Sequence, residues 1–124
     1  MKEVIAVVRI NMMNQTKQAL TDAGIDAFFA HEAHGRGKGF ANIRILEGAN
    51  QGYEEAASLL GEKGKLYGKR MVTVVVKDEQ VSDVVEALIK TNQTGKPGDG
   101  KIFVLPVADT VRVRTGETGL KAIV

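Results

Sequence analysis

Thr94-Gly95-Lys96-Pro97-Gly98-Asp99-Gly100-Lys101 puts three glycines, one proline, two lysines, a threonine and an aspartate into eight consecutive positions. Glycine reaches positive φ without a steric cost and lets a ligand come close to the main chain. Lysine adds cationic donors at the same place. Free amides beside ammonium groups form a cradle for phosphate. The spacing from Gly95 to Gly100-Lys101 satisfies G-x-x-x-x-G-K, but Ile102 stands where a P-loop needs the Ser or Thr that holds magnesium. The context is also reversed. A P-loop follows a strand and opens a helix. Here a helical pattern comes first, and the apolar run Ile102-Phe103-Val104-Leu105 follows. The stretch therefore reads as a phosphate loop between a helix and a strand, outside the Walker class.

On its N-terminal side, Val81, Val84, Val85, Leu88 and Ile89 form an apolar helical stripe that ends near Asn92. Asp78 is suited to cap that helix. Residues 72–76 read as a strand, introduced by Lys69-Arg70. Such a pair is ordinarily a solvated strand end; it would close the mouth of an anion site if the preceding loop folds back. On the C-terminal side, residues 102–107 read as a strand, 111–115 as a short further strand, and 116–124 as a tail.

The first third repeats the theme. Residues 4–10 are apolar and β-branched, the pattern of a buried strand. Asn11 is a candidate N-cap. Met13, Thr16, Leu20 and Ala23 follow at helical spacing, and Gly24 is a natural stop. Residues 25–34 read as a second strand around Phe28, Phe29 and Ala30. Residues 35–68 are rich in glycine and charge, with a helical turn or two expected over 54–60. A loop that long in a compact domain is usually functional or disordered.

The order is strand-helix-strand, long loop, strand-helix-strand. That is the ferredoxin-like split βαβ sandwich, an α+β fold with connectivity βαββαβ. Two helices cover only one face of a four-stranded sheet. Yet the first strand is apolar on both: Ile5 and Val7 on one side, Val4, Ala6, Val8 and Ile10 on the other. Only Arg9 breaks the run. Self-association over the open face is the simplest way to bury it.

Composition narrows the function. A chain of 124 residues, 44% hydrophobic and 26% charged, fits one soluble domain. There is no cysteine, so disulfides and thiolate metal sites are excluded. No secretion signal or membrane-length apolar run is seen, which makes the cytoplasm the expected location and membrane insertion unexpected. A net charge of +2 is too small to argue for nucleic acid.

The chemical constellations are few. Arg112 and Arg114 are two apart and, on a strand, would share a face. A solvated face is their ordinary reading; with Lys96 and Lys101 nearby in sequence, phosphate binding is the better one. His31 and His34, three apart on a strand, point to opposite faces and lack a third ligand, so no metal site is expected. No catalytic residue is identified: there is no cysteine nucleophile and no G-x-S-x-G. Glu54-Glu55 and Asp78-Glu79 read as loop surface and a helix start.

Together these residues resemble one family. Thr91-Asn92-Gln93-Thr94-Gly95-Lys96-Pro97-Gly98-Asp99-Gly100-Lys101-Ile102-Phe103-Val104, then Val111-Arg112-Val113-Arg114-Thr115-Gly116-Glu117, is similar to the C-terminal signature of PII signal-transduction proteins. Met1-Lys2-Glu3-Val4-Ile5, Gly35-Arg36, Lys38-Gly39 and Lys69 extend the likeness. The resemblance implies a trimer of ferredoxin-like subunits with ATP or ADP in the clefts between them. It implies that Gly98, Asp99, Gly100 and Lys101 hold phosphates, that Arg112 and Arg114 reach them, and that Thr94 lies beside the nucleotide. Val7 and Val75 match positions near the adenine. Gly37, Lys38, Gly39 and Lys69 match positions near 2-oxoglutarate and the base of the long loop, with Mg2+ open as a companion of the nucleotide.

One departure stands out. The family usually carries Gly-Arg-Gln-Lys-Gly at the loop base, and its glutamine helps hold Mg-ATP and 2-oxoglutarate. Here Gly37 takes that position, so only backbone is available there. Tyr53 in the long loop reads as an exposed tyrosine. The long loop, with Asn92-Gln93-Thr94-Gly95-Lys96-Pro97 and Val104-Leu105-Pro106-Val107, resembles the nitrogenase-associated Nif I branch, second paralogue type. That implies a non-enzymatic regulator that meets the dinitrogenase component, either as a homotrimer or with a sister subunit, and is relieved by 2-oxoglutarate with ATP. Two other functions are kept beside it: a general PII regulator of ammonium transport or glutamine synthetase, and a small ATP-using phosphotransferase.

Overall fold

The computed structural model of the chain describes residues 1–37 and 66–123. Lys38, Gly39 and Tyr53, and the turns expected over 54–60, lie outside the described residues. Six main elements follow in order: β1 (Lys2–Val8), α1 (Met13–Asp22), β2 (Phe29–Gly35), β3 (Tyr67–Val76), α2 (Val81–Asn92) and β4 (Lys101–Pro106). The strands form one sheet in the order β2-β3-β1-β4, with every neighbouring pair antiparallel. This is the ferredoxin-like α+β sandwich that the strand and helix order predicts.

The core lies between the sheet and the two helices. Val4, Ala6 and Val8 of β1 and Val72, Val74 and Val76 of β3 alternate inward and are buried. Leu20 of α1 and Val84 and Leu88 of α2 cover them. Each such valine or leucine side chain contributes roughly 1.5–3 kcal/mol by leaving water. Met13, Val81 and Val85 pack at the margin, whereas Ile89 of the expected stripe is exposed. The helices join through a buried polar pair: the Asn92 amide donates to Thr16 Oγ1 at 3.2 Å and to the Leu88 carbonyl at 3.0 Å.

α1 stops where Gly24 was expected to stop it. Gly24 has φ +85°, its amide donates to Thr21 O at 3.0 Å, and the Ile25 amide donates to Leu20 O at 2.9 Å. These are the two bonds of a Schellman cap. The expected N-caps are corrected. Asn11 lies inside a 3₁₀ turn, Ile10–Met12, and Met12 takes the N-cap position without a side-chain bond. Asp78 starts a second 3₁₀ turn, and its carboxylate pairs with the Met1 ammonium at 3.0 Å. That ammonium holds the Asp78 carboxyl below the usual carboxylate range. At this turn the Lys77 amide instead donates to Gln80 Oε1 at 3.0 Å.

Strand boundaries also move: β1 ends at Val8 rather than residue 10, because Ile10 enters the 3₁₀ turn, and β2 starts at Phe29 rather than residue 25. β3 starts at Tyr67, five residues before the expected strand, because Lys69 and Tyr67 are buried side chains of the sheet. Lys69-Arg70 is therefore no solvated strand end. Residues 111–115 form no strand: a single bridge joins Val111 to Thr118, and a turn fills the space between.

The open face carries Ile5, Phe103, Thr73 and Phe29 in one register row, and Val7, Met71, His31 and Lys101 in the next. Ile5 and Val7 are half-buried, while Phe29 is 71% exposed. Thr73 is buried, so one chain leaves this face only partly covered. His31 pairs with Met71 and His34 with Gly68, which puts the two on opposite faces as expected. Among the described residues no three His, Cys, Asp or Glu cluster as metal ligands.

Candidate phosphate loop and cleft

Residues 94–101 connect α2 to β4 and pack against the C-terminal end of β1. Gly95, Gly98 and Gly100 have φ of +82°, +100° and +106°, the left-handed region that glycine enters freely. Gly100 is also a contact point. A Cβ there would sit 1.7 Å from the Val7 carbonyl oxygen, so only glycine lets the loop lie on β1.

Asp99 organises the loop from within. Its Oδ2 accepts from the Thr94 amide at 2.8 Å and the Gly95 amide at 2.9 Å. Its Oδ1 accepts from the Thr94 hydroxyl and, at 2.8 Å, from Arg9 Nη1. Partial burial pushes the Asp99 carboxyl up, but the Thr94 hydroxyl and amide, Arg9 and the Gly95 amide outweigh it and hold the carboxyl below its ordinary range. The carboxylate thus shapes the loop and faces its own donors. It fits poorly as a magnesium ligand, because four donors already engage it.

Two cations pull the loop backbone inward. Arg9 Nη2 donates to Pro97 O at 3.0 Å. Lys69 Nζ donates to Gly98 O and lies 5.2 Å from the centre of the Tyr67 ring. The Tyr67 hydroxyl accepts from the Gly37 amide at 3.2 Å. A continuous line of contacts therefore runs from the glycine loop through Lys69 and Tyr67 to the described edge of the long loop.

Between the glycine loop and this edge lies a cleft of about 700 Å³. Val7, Gly37, Lys69, Gly98, Gly100 and Lys101 line it, together with Lys96, Arg36, His34 and Phe103. The arrangement has glycine backbone, three lysines and an arginine around a concave space, with Val7 and Phe103 as an apolar floor. It can receive a ligand that is anionic at one end and flat and apolar at the other.

The remaining sequence candidates lie elsewhere. Thr94, the first residue of the loop, is exposed and bonds Asp99 rather than lining the cleft. Val75 shares the open face but pairs with Glu3, four residues along β3 from Met71, about 13 Å away at strand spacing. Arg112 and Arg114 do not share a strand face, since their segment is a turn. Arg112 pairs with Glu117 at 2.7 Å and donates to Lys121 O at 3.0 Å; Arg114 is exposed. Their segment leaves β4 where Pro106 pairs with Lys2, at the end of the sheet remote from the cleft. Within one chain the arginines and the glycine loop are therefore apart.

Three residues of the site escaped the sequence reading. Arg9 looked like an interruption of an apolar strand, Tyr67 fell in the long loop, and Arg36 was noted only as part of a motif. A lone arginine inside Val7-Val8-Arg9-Ile10 was the available signal, because a charge in apolar surroundings calls for a partner.

The family description "Nitrogen regulatory protein P-II" matches residues 1–117. The chain is similar to the "Nitrogen fixation nifHD region GlnB-like protein 2" of Methanobacterium ivanovii, 44% identical over 125 residues and covering 99% of both chains. It is equally similar to the Methanococcus maripaludis protein of the same description, 44% over 126 residues, covering 99% of this chain and 100% of the other. The "Nitrogen regulatory protein P-II" of Mesorhizobium japonicum is 35% identical over 123 residues, with 99% and 100% covered. Among solved structures, the Arabidopsis thaliana PII bound to citrate superposes with a TM-score of 0.73 at 34% identity, covering 98% of this chain and 88% of that one.

Proposed function

Since the chain belongs to the nitrogen regulatory P-II family, a family of signalling regulators, we propose that it is a trimeric sensor. It takes ATP or ADP at residues 94–101, takes 2-oxoglutarate beside Lys69, and controls a nitrogen-fixation target through the long loop, residues 35–68. The observation that carries this is the cleft itself. A glycine backbone held against β1, with Lys69, Lys96 and Lys101 around it, suits the phosphates, and Val7 suits an apolar ring. Arg112 and Arg114 then serve a neighbouring copy's loop, since they lie far from their own. The partly covered row Ile5, Phe103, Phe29 supports assembly of copies over the open face.

The effector half rests on Gly37 and Lys69, and on Lys38 and Gly39, which lie outside the described residues. Lys69 is a cation and Gly37 offers an amide, which suits a carboxylate; the neighbour described as bound to citrate supports a carboxylate ligand. A ligand that takes Lys69 away from Gly98 O alters the loop and its root together. It shifts the protein only by its differential affinity for the two arrangements.

The target reading rests on relatives described by the nifHD region, which supports nitrogenase, through its dinitrogenase component, as the enzyme regulated. A sister PII-like subunit would join the same assembly through the same open face. Calorimetry with ATP and ADP on the wild type and Lys101→Ala tests the nucleotide site: loss of affinity in the variant supports it, and equal affinity sinks it. Removal of residues 40–65 tests the target arm. The shortened chain should keep nucleotide affinity and fail to bind dinitrogenase, and retained binding refutes that arm.

A further inference from the structure

Arg9 is the unusual residue of β1's end. Its side chain is 3% exposed, directly after Val8, which belongs to the core. A buried guanidinium is costly unless it is paired and hydrogen-bonded. Here its fork reaches two features of one loop, Asp99 Oδ1 at 2.8 Å and Pro97 O at 3.0 Å. Both lie in the stretch that would receive phosphate.

That stretch contains an apparent contradiction. A carboxylate inside an anion-binding loop repels the anion. Asp99 is nonetheless needed there, because its oxygens tie the Thr94 and Gly95 amides into the turn. Arg9 resolves the conflict. It cancels the charge of Asp99 from the side facing the core and leaves the cationic donors Lys96 and Lys101 lining the cleft.

We propose that Arg9 is a positioning residue of the phosphate loop, which neutralises Asp99 and so sets the preference of the site for the more highly charged nucleotide. The inference rests on the nucleotide reading above. Two contributions follow and separate experimentally. The bond to Pro97 O fixes geometry and bears on every nucleotide alike. The ion pair with Asp99 fixes charge and bears more on ATP than on ADP, because each added phosphate charge interacts with an uncompensated carboxylate.

The test is calorimetry with ATP and with ADP on four proteins, each checked for wild-type melting and oligomer mass. Arg9→Met should weaken ATP about tenfold and ADP clearly less, so that the affinity ratio shifts toward ADP. Arg9→Lys keeps the charge but not the fork, so both nucleotides should weaken by similar factors with the ratio unchanged. Arg9→Met combined with Asp99→Asn removes both charges and should restore the ratio. A purely structural role would not move that ratio. If Arg9→Met does not fold, Arg9→Gln, which retains polar donors without charge, takes its place with the same expectation. Equal losses for ATP and ADP in the neutral variant overturn the proposal, as does failure of Asp99→Asn to restore the ratio. A wild type that binds neither nucleotide overturns the nucleotide reading along with it.

Discussion

At Gly100 the chain has no alternative residue. The positive φ alone disfavours a side chain, and the Val7 carbonyl occupies the space a Cβ would take. Gly100→Ala should cost roughly 2–4 kcal/mol by forcing the loop off β1, read as a lower midpoint in urea unfolding. Nucleotide affinity should fall with it. Asp99 gives a second expectation. Its folded pKa lies below the unfolded value, so its contribution is complete above about pH 4, the ordinary carboxylate range, and is lost as pH falls through the depressed folded value. The Thr94 and Gly95 amide resonances should therefore hold steady from neutral pH down to that range and shift only below it. Movement near neutrality would contradict the assignment. Glycine and lysine marked the loop in the sequence as a phosphate candidate, since each type has a stated use there. The roles of Arg9 and Asp99 were not legible, because an ion pair across 90 positions depends on the fold and not on local spacing.

At the scale of elements, residue type and apolar period identified both helices and all four strands, with shifted ends. The apolar period also overreached. Leu20 and Ile89 look alike in a helical stripe, but Leu20 is fully buried and Ile89 is 45% exposed. Leu20→Ala should cost about 2–5 kcal/mol, while Ile89→Ala should stay near or below about 1 kcal/mol. Thermal melts of the two variants compare them directly, and similar losses would misplace the core. The start of β3 was missed because Tyr67, Gly68 and Lys69 follow a charged, glycine-rich segment, and nothing local separates a buried lysine from a solvated one. Residues 111–115 misled in the opposite sense. Alternating valine and arginine has the period of a strand, but the bond from the Gly116 amide to Arg112 O at 2.7 Å folds the segment into a turn.

For the whole molecule, the sequence already implied an uncovered apolar face, because β1 lacks a polar side. One chain leaves Ile5 and Val7 half-buried and Phe29 and Phe103 exposed. It also keeps Arg112 at the far end of the sheet from Lys101. If copies share sites, chains damaged at different ends should complement one another. Lys101→Ala and Arg112→Ala homomers should each bind ATP weakly. Co-refolded mixtures should regain a fraction of wild-type sites, because some interfaces then pair an intact loop with an intact arginine. No recovery in mixtures of confirmed hetero-oligomers would place each site within a single chain. Among the described residues no helix is long and apolar enough to cross a membrane.

The stacking of Lys69 on Tyr67 has an optical consequence. The chain contains no tryptophan and only two tyrosines. Tyr67 is one of them, with an ammonium over its ring and its hydroxyl bound to the Gly37 amide. Both neighbours would change if a ligand in the cleft drew Lys69 away from Gly98. The protein therefore carries an intrinsic fluorophore between the glycine loop and the described edge of the long loop. Tyrosine emission, compared between wild type and Tyr67→Phe, can follow occupancy of the cleft in real time without any label.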